Sequence, residues 1–439
     1  MIPEIVHGDD ADFEEKLSRL EQRRQMGQGL EPSNRENTLR KVQNIVREVR
    51  ERGDEALLEL TERFDGVELA RGRVRVSEQE ITAAVDSLPA DLRGALEKAA
   101  DRIRTFQENI LVQEPSPIRQ DGRELGLCYG PVDAAAICVP GASASLASSV
   151  LMNVVPAAVA GVERIVMITP PRHDGTVSAD RLAAARIAGA TEVYRVFGAQ
   201  GVAAAAYGTE SLPSVDFIAG PGNIYVATAK KVVFGQVGID MIAGPSEVVV
   251  VADDSARASW VTAELLAQAE HTHGSAILLT DDDSLARTVA ERIDEEAGQL
   301  ADPGEVESCL EEFGAIVVAR DMDQCLQISN RLAPEHLVLM VRNPEDLRDE
   351  IRHAGAIFMG HFTPVAVGDY IGGPSHTLPT GTTARFSSGL TANHFRKSTS
   401  YIRYDRSALQ KDGPDIRRLA EAEKLKAHAR SVAARVDEE

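Results

Sequence analysis

The chain has 439 residues, 43% apolar and 26% charged, an ordinary globular composition with room for about three domains or two large ones. Asp plus Glu number 68 against 47 Lys plus Arg, a net charge of −21, and a field of that sign repels phosphate backbones and anionic lipid, which excludes nucleic acid and membrane surface as partners. The four cysteines (Cys128, Cys138, Cys309, Cys325) form no CxxC, which argues against a disulfide framework or a thiolate zinc cage, and the N-terminus has no apolar signal-peptide run, so a cytoplasmic protein is expected.

Residues 1–32 are polar, with Phe13, Leu17 and Leu20 at helical spacing, and are expected to form an appended helical arm. Residues 33–110 are mostly helical in pattern; Leu39, Val42, Ile45, Val46 and Val49 follow a 3.6-residue period that Gly53 ends. A connector rich in Pro and Ser follows at 114–119. From Ala134 charge disappears and short apolar runs alternate with helical patterns. Strands are predicted at 134–139, 164–169, 192–197, 215–219, 247–252, 275–280, 314–318 and 337–341, with helices between them. The alternation predicts an α/β fold with mostly parallel sheet, and its length predicts two such domains. Residues 360–393 hold many Gly, Pro, Thr and Ser with little periodicity, and a long irregular segment of this kind is usually functional. The tail, 414–436, reads as one amphipathic helix with Leu419, Leu425, Ala429 and Val432 on one side.

The usual G-x-G-x-x-G fingerprint is absent. Pro140-Gly141-Ala142, Gly198-Ala199-Gln200 and Gly220-Pro221-Gly222-Asn223 stand instead at predicted strand ends. Ligands of parallel sheets sit outside the carboxyl ends of strands, and small residues there let a ligand approach the backbone and the helix N-termini. Each fragment alone also suits a plain strand-to-helix turn; three in succession suggest a cofactor-sized groove. Gln268 and His271 share a face of a predicted helix, Asp369 and His376 lie in the irregular segment, and His428 lies on the tail. Amide oxygen, imidazole and carboxylate together suit a borderline divalent ion in an open site, although His271 alone equally suits the helix dipole and His273 is a rival ligand. Glu335-His336 offers a carboxylate and an imidazole at a strand's entrance, either an acid/base pair or surface decoration. Cys138 reads as core packing rather than a nucleophile.

Taken together, the motifs resemble histidinol dehydrogenases. The most specific are Gly220-Pro221-Gly222-Asn223-Ile224-Tyr225-Val226, Ala243-Gly244-Pro245-Ser246-Glu247, Gln268-Ala269-Glu270-His271, Pro334-Glu335-His336, Gly368-Asp369-Tyr370 with Ser375-His376, and Glu423 with Ala427-His428. The resemblance runs from about Asn34 to the C-terminus. It implies two incomplete Rossmann-like parallel-sheet domains with an N-terminal helical arm and a C-terminal helical dimerisation tail. The expected divisions are 1–32 for the arm, 33–137 with 247–389 for a discontinuous domain bearing the metal and acid/base residues, 138–246 for an inserted NAD domain, and 390–439 for the tail. The tail is expected to complete the neighbouring subunit's site in a homodimer.

The resemblance also implies roles. Gln268, His271, Asp369 and His428 match zinc ligands; Ser246, His376 and Glu423 match substrate contacts. His336 matches the general base and Glu335 the group that activates water. Cys138, Gln200 and Asn223 match cofactor contacts. The implied reaction oxidises L-histidinol to L-histidine with two NAD and one bound zinc per subunit. Cys138 and Ala142 depart from the family's usual Tyr and Gly, which removes an aromatic wall from the NAD pocket and adds a methyl. Competing readings are another zinc- and NAD-dependent alcohol dehydrogenase, such as a sulfopropanediol dehydrogenase, a zinc hydrolase, and a non-catalytic paralogue. Retention of Glu423 and His428 favours histidinol over another diol.

Overall fold

The computed structural model describes residues 5–26, 32–141, 146–270, 274–300 and 303–437. Met1–Asn109 with Asp133–Phe395 form one compact unit; Ile110–Val132 with Arg396–Glu439 form a second. No helix among the described residues is long and apolar enough to cross a membrane.

The first unit contains two parallel sheets. The larger has six strands, in the order Ile5–His7, Ala315–Val318, Ser275–Thr280, Glu247–Ala252, His336–Met340 and Ala356–Met359. Its central strands are continuous apolar runs because both faces are covered. Val248, Val250, Leu278 and Val338 pack against Leu265, Leu285, Val289 and Leu310 on one face. Val249, Val251, Leu279 and Leu339 pack against Phe13, Leu17, Ile328 and Leu332 on the other. Successive residues thus serve opposite layers, the two-residue period of a strand.

The smaller sheet has five strands, in the order Glu192–Tyr194, Arg164–Ile168, Ala134–Cys138, Phe217–Ala219 and Gly238–Ile239. One face is covered by Val42, Ile45, Val49, Leu57 and Leu60, from the helices Pro32–Arg52 and Asp54–Asp65. This corrects the expected grouping of 33–137 with 247–389. The N-terminal helices and the strand Ala134–Cys138 belong with the smaller sheet, since their apolar stripe needs the face that this sheet leaves open. The arm is corrected too: Ile5–His7 joins the edge of the larger sheet by pairing with Ile316–Val318, and Phe13, Leu17 and Leu20 are buried behind it.

The chain passes from the C-terminal edge of the smaller sheet to the N-terminal edge of the larger through 240–246. Thr380 fastens this crossing by accepting from Gly244 N, and Asn153, on the helix Ala147–Ala160, accepts from Thr377 Oγ1 at 3.0 Å.

The second unit is an antiparallel ribbon followed by two helices. Its strands Ile118–Gln120, Arg123–Pro131 and Arg396–Tyr404 went unpredicted, as did the edge strand Ala356–Met359 of the first unit. The single tail helix is corrected to two, Arg406–Ala422 and Lys426–Val436. Asp405 starts the first by accepting from Ala408 N at 2.8 Å, so Pro414 falls inside it rather than at its start. Lys424, at φ +64°, breaks the run.

Candidate active site

Glu335 and His336 owe their positions to the end of the preceding helix. Ala333 takes a left-handed conformation after Met322–Leu332, Pro334 prevents continuation, and the next strand starts at His336. Glu335 therefore lies just outside the regular strand, and both side chains reach the start of the neighbouring one. Glu335 Oε2 accepts from Ser246 Oγ at 2.8 Å and from Glu247 N at 2.9 Å. His336 Nδ1 lies 2.9 Å from the Glu247 carbonyl oxygen, which only accepts, so Nδ1 carries the proton and Nε2 the lone pair. Glu335 and His336 are 7% and 4% exposed, which removes the surface-decoration reading. Burial pushes the Glu335 carboxyl up to about 7, against the pull of His336 and the hydrogen bonds from Ser246 and Glu247.

Gln268 sits in the last turn of Ala258–Ala269 and is buried. Its Oε1 is 3.5 Å from Ser246 Oγ, too long to count as satisfied when that hydroxyl already donates to Glu335. Its Nε2 has no partner among the described residues. His271, with His273, lies outside the described residues. Asp369 lies in the last turn of the short helix Val365–Tyr370, whose first N–H donates to Glu264 Oε2 at 3.0 Å. Glu264 lies one turn before Gln268, so one helix both presents the amide and fastens the element bearing the carboxylate. His376 is held from both sides, Nδ1 at 3.0 Å from the Asp369 carbonyl oxygen and Nε2 at 3.1 Å from Ser149 Oγ. His336, Asp369, Ser375 and His376 line one cavity of about 70 Å³. The Gln268 amide, buried without a full set of partners, and the Asp369 carboxylate are donor types that suit a borderline divalent ion. No group of three His, Cys, Asp or Glu with metal-binding geometry occurs among the described residues.

The smaller sheet contributes a second cavity, of about 540 Å³, with Gln200, Asn223, Tyr225, Phe64 and Asp65 in its wall. Asn223 caps the helix Ile224–Val233, its side-chain oxygen accepting from Tyr225 N and Val226 N at 3.0 and 3.1 Å, so its NH₂ is left for a ligand. Gln200 Nε2 is 3.4 Å from Asp65 Oδ2. Burial pushes the Asp65 carboxyl up to about 6. Sequence reasoning missed Phe64, Asp65 and Tyr225. Tyr225 lay inside a quoted motif, whereas Phe64 and Asp65 end an amphipathic helix and carried no local signal. Cys138 does not line this cavity; its side chain is fully buried and burial pushes the thiol up to about 12, consistent with packing rather than nucleophilic chemistry. Ala142 lies outside the described residues. Glu423 and His428 belong to the second unit, where both are exposed.

Two parallel sheets, small-residue turns at the strand ends of one and a buried carboxylate–imidazole pair at the other are the arrangement that suits a dinucleotide-dependent oxidoreductase. A family profile for histidinol dehydrogenase matches residues 30–436, and the chain belongs to that family. It is 49% identical over 397 residues to the histidinol dehydrogenase of Ruegeria pomeroyi, covering 90% of this chain and 92% of the relative. It is 46% identical over 433 residues to that of Syntrophotalea carbinolica, covering 98% and 99%. The crystal structure of histidinol dehydrogenase from Elizabethkingia anophelis superposes with a TM-score of 0.91 at 33% identity, covering 99% of this chain and 98% of that one. The protein is therefore an NAD-dependent oxidoreductase of histidine biosynthesis.

Proposed function

We propose that the chain oxidises L-histidinol to L-histidine in two hydride transfers to NAD, with the intermediate aldehyde retained in the site. The observation that carries the residue assignment is the hydrogen bond between His336 Nδ1 and the Glu247 carbonyl. It fixes the tautomer in which Nε2 is a base. His336 takes the proton of the substrate hydroxyl as hydride leaves its carbon for the first NAD. Glu335, whose carboxyl titrates near neutrality, then accepts a proton from the water that adds to the aldehyde. The hydrate delivers the second hydride to a second NAD and becomes the carboxylate.

Gln268, His271 and Asp369, with His428 from a second copy of the chain, are proposed to hold zinc, whose chemistry is to fix and polarise the substrate. Ser246, His376 and Glu423 are proposed to orient the substrate, and Gln200 and Asn223 to contact NAD, with Cys138 buried at the end of the strand Ala134–Cys138 of the same sheet. The exposed Glu423 and His428 on a unit of their own support their lending to a neighbour in a homodimer.

The test is NADH formation from L-histidinol by zinc-loaded protein beside a chelator-treated sample. About two NADH per histidinol, lost on chelation and restored by zinc, is the expected result. One NADH with released aldehyde would reject the two-step assignment, and full activity after verified metal removal would reject the zinc assignment.

A further inference from the structure

The C-terminal edge of the smaller sheet carries a charged pair that none of the proposed chemistry uses. Lys230, in the last turn of Ile224–Val233, and Asp240, just after Gly238–Ile239, form an ion pair whose side chains are 3% and 0% exposed. Burying two charges is expensive, and apolar residues of similar size often serve stability as well. The distinctive feature of this pair is that both partners grip the same residue. Asp240 Oδ2 accepts from Gly220 N at 2.8 Å, and Lys230 Nζ donates to Gly220 O at 3.0 Å. The other oxygen of Asp240 accepts from Met241 N at 2.6 Å.

Gly220 follows the strand Phe217–Ala219 at φ +99°, and a Cβ there would overlap the Cys138 carbonyl. Only glycine takes that turn without strain. Its N–H and C=O need partners in the buried sheet edge, and the pair provides them. Three residues later Asn223 opens the helix that faces the large cavity.

We propose that Lys230 and Asp240 are positioning residues for the dinucleotide: by clamping both backbone groups of Gly220, they set the 220–223 turn and thereby aim the Asn223 amide and the helix start at the cofactor. The inference rests on the reading of Asn223 as a cofactor contact. The hydrogen bonds of the pair go to Gly220 and Met241 and to none of Ser246, Glu335 or His336, so the clamp is expected to act on NAD affinity rather than on histidinol binding or the chemical steps.

K230M and K230M/D240N separate positioning from stability. K230M strands a buried carboxylate and is expected to lower the melting temperature. The double variant removes the lone charge and recovers it, yet the thioether side chain still cannot donate to Gly220 O. Its KM for NAD is expected to stay roughly tenfold high, the equivalent of one lost hydrogen bond from a charged group, with kcat and the KM for histidinol within about twofold of the parent. N223A, measured alongside, is expected to raise the KM for NAD. If it does and the stable double variant binds NAD like the parent, the clamp is overturned. If kcat and both KM values shift together in the double variant, the pair is merely structural. If N223A leaves the KM for NAD unchanged, the cofactor reading of the turn fails instead.

Discussion

His336 and Glu335 show how little a dipeptide says until its burial is known. In sequence they are a carboxylate and an imidazole in a loop; in the fold each is fixed by a group of the neighbouring strand, Glu247 O for one and Glu247 N with Ser246 Oγ for the other. H336A should lower kcat by roughly two to four orders of magnitude, the usual worth of a general base, with circular dichroism unchanged. E335Q should slow histidinal oxidation far more than histidinol oxidation, seen as a single-turnover NADH burst nearer one than two. Glu335 also makes stability depend on pH. Its folded value, near 7, lies above the ordinary 4.5, so the unfolded chain releases the proton first. Stability from this group is intact below about pH 4.5 and is lost as pH rises towards 7. E335Q should therefore match the parent at pH 4.5 and gain on it by up to about 3 kcal/mol above pH 7, as read by urea melts. A difference that does not vary with pH would contradict a carboxyl titrating in that window.

Elements with a clear period were legible. Glu247–Ala252 and Ser275–Thr280 occur at their predicted bounds, because apolar runs bracketed by helical patterns have one reading. Ile118–Gln120, Arg123–Pro131 and Arg396–Tyr404 escaped, because the ribbon is mixed in polarity and its Arg396–Tyr404 strand pairs across more than two hundred residues of intervening chain. The tail break had a signal that amphipathic periodicity hides. Leu425 N donates to Ala420 O at 2.7 Å and Lys424 N to Glu421 O at 2.9 Å, the pattern of a helix terminated by a left-handed residue, where glycine is usual and lysine stands. K424G should raise stability by roughly 1 kcal/mol, read as a higher melting temperature. No gain would mean that the αL conformation is not held in solution.

For the molecule, the informative feature is which sheet edges carry chemistry. The smaller sheet obeys the rule for open α/β sheets: Gln200 and Asn223 lie beyond the carboxyl ends of its strands. The larger sheet reverses it, with Ser246, Glu335 and His336 at the amino ends. The 240–246 crossing joins the two edges, which is the connection the proposed reaction needs between a cofactor at one sheet and a base at the other. If His428 comes from a second copy, H336A and H428A have different assembly behaviour. Refolded together, they form mixed dimers with one wholly intact site each, and about a quarter of parental activity should return. A His428 acting within its own chain leaves no intact site, and no activity returns.

The sequence by itself determined the alternation of strands and helices, the residue types available for redox, acid/base and metal chemistry, and, through spaced motifs, the family. These are carried by local periodicity and residue identity. Only the tertiary structure decided that the N-terminal helices serve the smaller sheet and the first strand the larger. It also decided that Glu335 is buried enough to titrate near 7, that His336 bears its proton on Nδ1, and that Lys230 and Asp240 close on Gly220. Each depends on contacts between segments far apart in the chain, where desolvation and hydrogen-bond partners are set by packing rather than by neighbours in sequence.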